Sequence, residues 1–193
     1  MKRVFLIGPG GAGKTTCGKV FAGLIGYVFV DLDSEFMARV GHIGQHIEDK
    51  GYLSYCRSNS ALFYALIEEQ SEDTVFALSS GFLVHEDTDP ELSKHKDAIR
   101  DLGCSILLLP SRSIEETEKI IISRQMSRGI ACQQKSERRK IRDRFLKYYK
   151  HGDIQIFSTE NPTCVAEEMK TKYMEFAEPA RGPYAVKRTI FVP

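Results

Sequence analysis

A chain of 193 residues, 42% hydrophobic and 27% charged, can bury one sizeable core, which excludes global disorder. Its 27 lysines and arginines stand against 26 aspartates and glutamates, a formal net charge of +1, so no global attraction to nucleic acid or an acidic membrane is expected. No run approaches the roughly 20 apolar residues that cross a bilayer.

The chain alternates strand-like and helix-like segments, the pattern of an α/β protein with a parallel sheet. Residues 3–8 form a short apolar strand that ends in glycines, too short for the core of a signal peptide. Gly8-Pro9-Gly10-Gly11-Ala12-Gly13-Lys14-Thr15 then satisfies G-x-x-x-x-G-K-[ST] in full. Glycines let successive backbone N–H groups turn inward around phosphate oxygens, where a side chain would block the approach. A helix over 15–24, stopped by Gly26, adds its positive end. Gly10, Gly11, Ala12, Gly13, Lys14, Thr15 and Thr16 are therefore the candidate ATP-binding residues. Lys14 supplies charge to the β and γ phosphates, and the Thr15 hydroxyl can ligate Mg²⁺.

A second buried strand over 28–31 runs into Asp31-Leu32-Asp33. In an open parallel sheet, ligands bind beyond the carboxyl ends of the strands, which brings both carboxylates to the phosphate loop. One can serve the metal and the other a hydroxyl acceptor. The plainer reading is a turn, with Asp33 or Ser34 capping the next helix. His42 and His46 are four apart and read as solvent-facing rather than as zinc ligands.

Further along, a helix is expected over 53–69, strands over 74–78, 104–109 and 154–157, and helices over 137–150 and 163–176. Eight basic residues lie between 135 and 150, and Ile141, Phe145, Tyr148 and Tyr149 share one face there, so an amphipathic helix is expected rather than a nucleic-acid patch. Five scattered cysteines without a C-x-x-C pair suit reduced thiols in the cytoplasm. Cys17 reads as a packed residue, although its place near a helix start would also allow a lowered pKa.

With these residues in view, the sequence resembles the shikimate kinase family of small P-loop kinases from residue 2 to about residue 173. The resemblance rests on the phosphate loop and on the Phe29-to-Asp33 strand end followed by Gly41, Ile43 and Ile47. It rests also on Tyr55-Cys56-Arg57, on Arg144 with Tyr148 and Gly152-Asp153 beyond it, and on Asn161-Pro162. It implies a P-loop kinase fold, a five-stranded parallel sheet flanked by helices with a small lid, over residues 1–177. An acceptor-binding segment falls at about 33–70, a lid at about 124–134 and an irregular tail at 178–193. The implied cofactors are ATP and Mg²⁺, the latter held by Thr15 and Asp31. The resemblance makes Lys14, Asp33 and the lid residue Arg128 catalytic, and sets Arg124 and Pro162 beside the adenine. Asp33, Arg57, Gly81 and Arg144 are the implied acceptor contacts.

Several positions depart from the family pattern. Leu78-Ser79-Ser80-Gly81 stands where the family has three glycines, and Ser60 where it has a glutamate behind the first acceptor arginine. Gly129-Ile130-Ala131 replaces a proline and leucines, and Leu146 another proline. The expected activity is phosphoryl transfer from MgATP to a hydroxyl of a small acidic metabolite, shikimate first, by a cytoplasmic monomer without nucleic-acid or membrane partners. Open beside it are a gluconate, nucleoside or nucleotide kinase and a non-catalytic nucleotide-binding regulator.

Overall fold

The computed structural model describes residues 1–87, 94–127 and 134–177. Five parallel strands, β1 (Arg3–Ile7), β2 (Val28–Asp31), β3 (Thr74–Ala77), β4 (Cys104–Leu109) and β5 (Ile154–Phe157), form one sheet in the order β2-β3-β1-β4-β5. The crossovers carry α1 (Lys14–Ile25), α2 (Leu32–Arg39), α3 (Ile43–Lys50) and α4 (Tyr52–Glu69). After a 3-10 turn over Phe82–Asp87 come α5 (Lys94–Leu102), α6 (Ile114–Ser127), α7 (Gln134–Tyr148) and α8 (Pro162–Ala177).

Alternation along β1 explains the layering. Phe5 and Ile7 point into a core shared with Phe36, Phe63, Phe76 and Phe145, on the side of α2, α4 and α7. Val4 and Leu6 point into the opposite core, with Phe21, Ile106, Ile156 and Met169, beneath α1 and α8. A strand covered on both faces is apolar at most positions, which is why β1, β3 and β4 read as nearly continuous runs. Helix boundaries follow local chemistry. Gly26 closes α1 at φ 72°, and its N–H bonds to the Ala22 carbonyl. Asn161 Oδ1 accepts the N–H groups of Thr163 and Cys164, and Pro162 opens α8 where no N–H is required.

Some expectations shift. Asp31, rather than Asp33 or Ser34, caps α2, its Oδ1 accepting the Ser34 N–H at 3.0 Å. His46 is buried against Phe36 rather than solvent-facing, while exposed His42 caps α3. Cys17 is packed, and burial raises its thiol pKa despite nearby Arg124. Residues 124–127, the expected start of a lid, are the last turn of α6. Arg128 and the tail 178–193 lie outside the described residues. Among the described residues, no helix is long and apolar enough to cross a membrane.

Candidate active site

The glycine loop joins β1 to α1 at the carboxyl edge of the sheet. Gly8 has φ 140°, and a Cβ there would meet the Leu108 carbonyl oxygen at 2.4 Å. Gly13 caps α1 at φ 102°, a backbone angle that other residues resist. The loop closes over Lys14, whose Nζ donates to the Gly8 and Pro9 carbonyls at 2.7 and 3.1 Å. A lysine in an open loop would be expected to be exposed; Lys14 is instead only 8% exposed. That burial lowers its pKa from 10.5 to about 8 against the pull of Asp33 and Asp31, and Arg144 lowers it slightly further. Lys14, Asp31, Asp33 and Arg144 thus lie within electrostatic reach of one another.

Thr15 Oγ1 donates to Asp31 Oδ2 at 2.6 Å, so the two residues implied for the metal are already paired. Asp33, in the first turn of α2, accepts a hydrogen bond from Ser79 Oγ at 2.5 Å. The next residue, Ser80, accepts from Arg144 Nη1 at 3.0 Å through its hydroxyl and from the Tyr148 hydroxyl at 2.8 Å through its carbonyl. Gly81 follows, buried at the start of the 3-10 turn. The end of β3 therefore ties α2 to α7, and with them Asp33 to Arg144.

Arg57 falls on another face of its helix. On α4, Tyr55, Cys56, Asn59, Leu62 and Phe63 form the buried stripe, and Arg57 lies roughly 150° around the helix from it at 100° per residue, with an exposed side chain. Ser60 bonds to His95 Nε2 at 2.6 Å and so links α4 to α5. The side chains that α4 does bring to the site are Tyr52, beside Arg144, Tyr55, beside Ser79, and Asn59, whose Oδ1 is 3.3 Å from Ser79 Oγ. Their spacing of 52, 55 and 59 is a helical signal. Nothing in the sequence says that this stripe meets β3.

On the other side of the loop is a cavity of about 280 Å³. Gly11, Ala12, Gly13 and Thr16 line it together with Cys17, Leu109, Arg124, Ile156 and Pro162. Arg124 Nη1 donates to the Gly11 carbonyl at 3.2 Å. Arg124 and Pro162, more than thirty residues apart in the chain, thus share one wall with the phosphate loop.

A parallel sheet of this order, with a glycine loop between β1 and α1 around a buried lysine, defines a P-loop α/β protein. The family model of shikimate kinase matches residues 10–176, and the chain belongs to the shikimate kinase family. A shikimate kinase of Nitrosomonas europaea is 33% identical over 93 residues, 48% of this chain and 43% of that one. A pentafunctional AROM polypeptide of Saccharomyces cerevisiae is 28% identical over 170 residues, 86% of this chain and 10% of that one. The chain thus spans less than half the length of either relative. In fold, it is similar to a shikimate kinase from Acinetobacter baumannii, at a TM-score of 0.74 and 20% identity, over 92% of this chain and 95% of that one.

Proposed function

We propose that this chain transfers the γ-phosphoryl group of MgATP to a hydroxyl of a small hydroxylated acid, with shikimate foremost. The observation that carries the reading is the glycine loop closed on buried Lys14, with Thr15 bonded to Asp31 and the end of β3 tying Asp33 to Arg144. The similar fold from Acinetobacter baumannii, solved in complex with shikimate, supports the choice of acid.

The phosphates belong on the loop N–H groups at the start of α1, and the adenine belongs in the cavity beside Arg124 and Pro162. An arriving phosphate gives the buried Lys14 ammonium the counter-charge that its carbonyl partners supply only in part. Mg²⁺ prefers oxygen donors, and the Thr15 hydroxyl and Asp31 carboxylate fit that preference. Bound there, the ion would neutralise charge on the transferring group. Asp33 accepts the proton of the acceptor hydroxyl, and the Arg144 guanidinium takes the acceptor carboxylate. Catalysis is positioning and charge neutralisation, with no covalent enzyme intermediate. Buried free thiols at Cys17, Cys56 and Cys104 suit action in the cytoplasm, and the reading is of a monomer.

One observation favours a second acceptor class. Ser79 and Ser80 fill the end of β3 with side chains bonded to Asp33 and Arg144, which suits a smaller or differently posed acid such as gluconate. A coupled ADP-release assay over hydroxy acids, sugars, nucleosides and nucleotides decides between them. Turnover with shikimate above all other acceptors is expected. Turnover confined to gluconate would select the second class, and turnover confined to nucleosides or nucleotides would overturn both.

A further inference from the structure

We propose that Ser79, backed by Asn59, is a positioning residue that holds the Asp33 carboxylate in one orientation and leaves Oδ2 to receive the acceptor hydroxyl. The proposal rests on the functional reading above for its acceptor, but its geometry stands apart from the identity of that acceptor.

Asp33 is on α2 and Ser79 just beyond β3, 46 residues apart in the chain. Their 2.5 Å contact falls in the range of hydroxyl-to-carboxylate bonds, the strong charge-assisted kind. Ser79 is 2% exposed, so water does not compete for the bond. A hydroxyl has one proton and two lone pairs. The proton goes to Asp33, because a carboxylate only accepts. Whatever else touches Ser79 Oγ must then donate to it.

Asn59 meets that requirement. It is fully buried, and its amide lies 3.3 Å from Ser79 Oγ through Oδ1, while its Nδ2 has no partner among the described residues. Two oxygens cannot share a proton already given to Asp33. A half-turn of the amide about its last torsion presents Nδ2 to Ser79 and replaces an oxygen–oxygen contact with a donor. Tyr55, one turn earlier on α4, also lies beside Ser79. The result is a directed chain, Asn59 to Ser79 to Asp33, mounted on α4 and the end of β3.

Both supports are core elements, so the chain is stiff. A carboxylate without it can turn about its Cα–Cβ bond and carry both oxygens away from the acceptor. A glycine at 79 has no hydroxyl to offer. Orientation of this kind acts on the reacting geometry more than on ground-state binding, so it belongs to kcat rather than to KM.

The test is a double-mutant cycle on the full chain with Ser79→Ala, Asn59→Leu and both together. With the accepted substrate, Ser79→Ala should lower kcat about tenfold and Asn59→Leu about threefold, with the acceptor KM changed less than about twofold. The double variant should lose only about tenfold, because Asn59 acts through Ser79. Losses that multiply to about thirtyfold, or that fall on KM alone, would overturn the proposal. Side-chain NMR couplings of Asp33 give a readout that needs no acceptor. One fixed rotamer in the unaltered chain and averaging in Ser79→Ala supports the chain of bonds. The same rotamer in both overturns it, whatever the assay shows. If the unaltered chain phosphorylates nothing, the functional reading fails and the NMR result alone judges the positioning.

Discussion

Lys14 carries a positive charge into a place that water hardly reaches, and the fold bears the cost. Its folded pKa of about 8 lies below its ordinary 10.5, so the unfolded chain binds this proton more tightly. Stability should therefore rise with pH between about 8 and 10.5, and the penalty is full below 8. Lys14→Met removes that penalty. The variant should gain stability over the unaltered chain at pH 7, by up to on the order of 3 kcal/mol, and the gain should vanish near pH 10.5. Urea denaturation of both proteins across that range checks the sign. Titration calorimetry on the same pair should show weakened MgATP binding, and equal affinities would remove Lys14 from the phosphate site. The loop was legible because its chemistry is local, with seven consecutive residues around one ligand. Ser79 and Asn59 were not, since a buried serine acquires meaning only when two distant segments meet across it.

At the scale of the element, α7 is held by charge as well as by packing. Glu118 on α6, 5% exposed, pairs with Arg142 at 2.6 Å and Arg138 at 3.4 Å, both on α7. The two arginines are half-exposed, so solvent screens them and reclaims them readily. Glu118→Ala should then lower stability by only about 1 to 2 kcal/mol. It should also speed hydrogen exchange in α7, and unchanged exchange would mean that Ile141, Phe145 and Tyr148 suffice to dock it. The link between α4 and α5 titrates differently. His95 is 1% exposed, stacked on Phe82 and bonded at both ring nitrogens, and burial lowers its pKa. The unfolded chain therefore takes this proton first. The stabilising contribution is full above about pH 6.5 and falls as the pH drops below it, and His95→Gln should flatten that slope. Thermal melts between pH 5 and 8 measure the difference. The strands were legible because central parallel strands are apolar at most positions, but α5 was not. Only His95 and Ile99 of its nine residues are buried, too few to make a periodic stripe.

The whole molecule is organised around the carboxyl edge of one sheet. The order β2-β3-β1-β4-β5 sets β1 at the centre, so its loop has the cavity of Arg124 and Pro162 on one side and Asp33, Ser79 and Arg144 on the other. A donor and an acceptor can thus approach the same few atoms from opposite sides. The sequence foretold the five strands, and it set Asp33 and Arg144 at one sheet edge, where the end of β3 links them. The resemblance set Arg57 beside them, but α4 turns it roughly 150° away from its buried stripe. Exchange of Arg144 for alanine should lower kcat/KM for the acceptor about 30- to 1,000-fold, with MgATP affinity little changed. The central claim, that the γ-phosphoryl group moves to a hydroxyl held at Asp33, is tested most directly by ³¹P NMR of the protein mixed with MgATP and shikimate. A new phosphomonoester resonance should grow with ADP, and Asp33→Asn should slow its growth about a hundredfold or more. ADP that forms only with inorganic phosphate, or an ester that forms as fast in Asp33→Asn, would contradict the account.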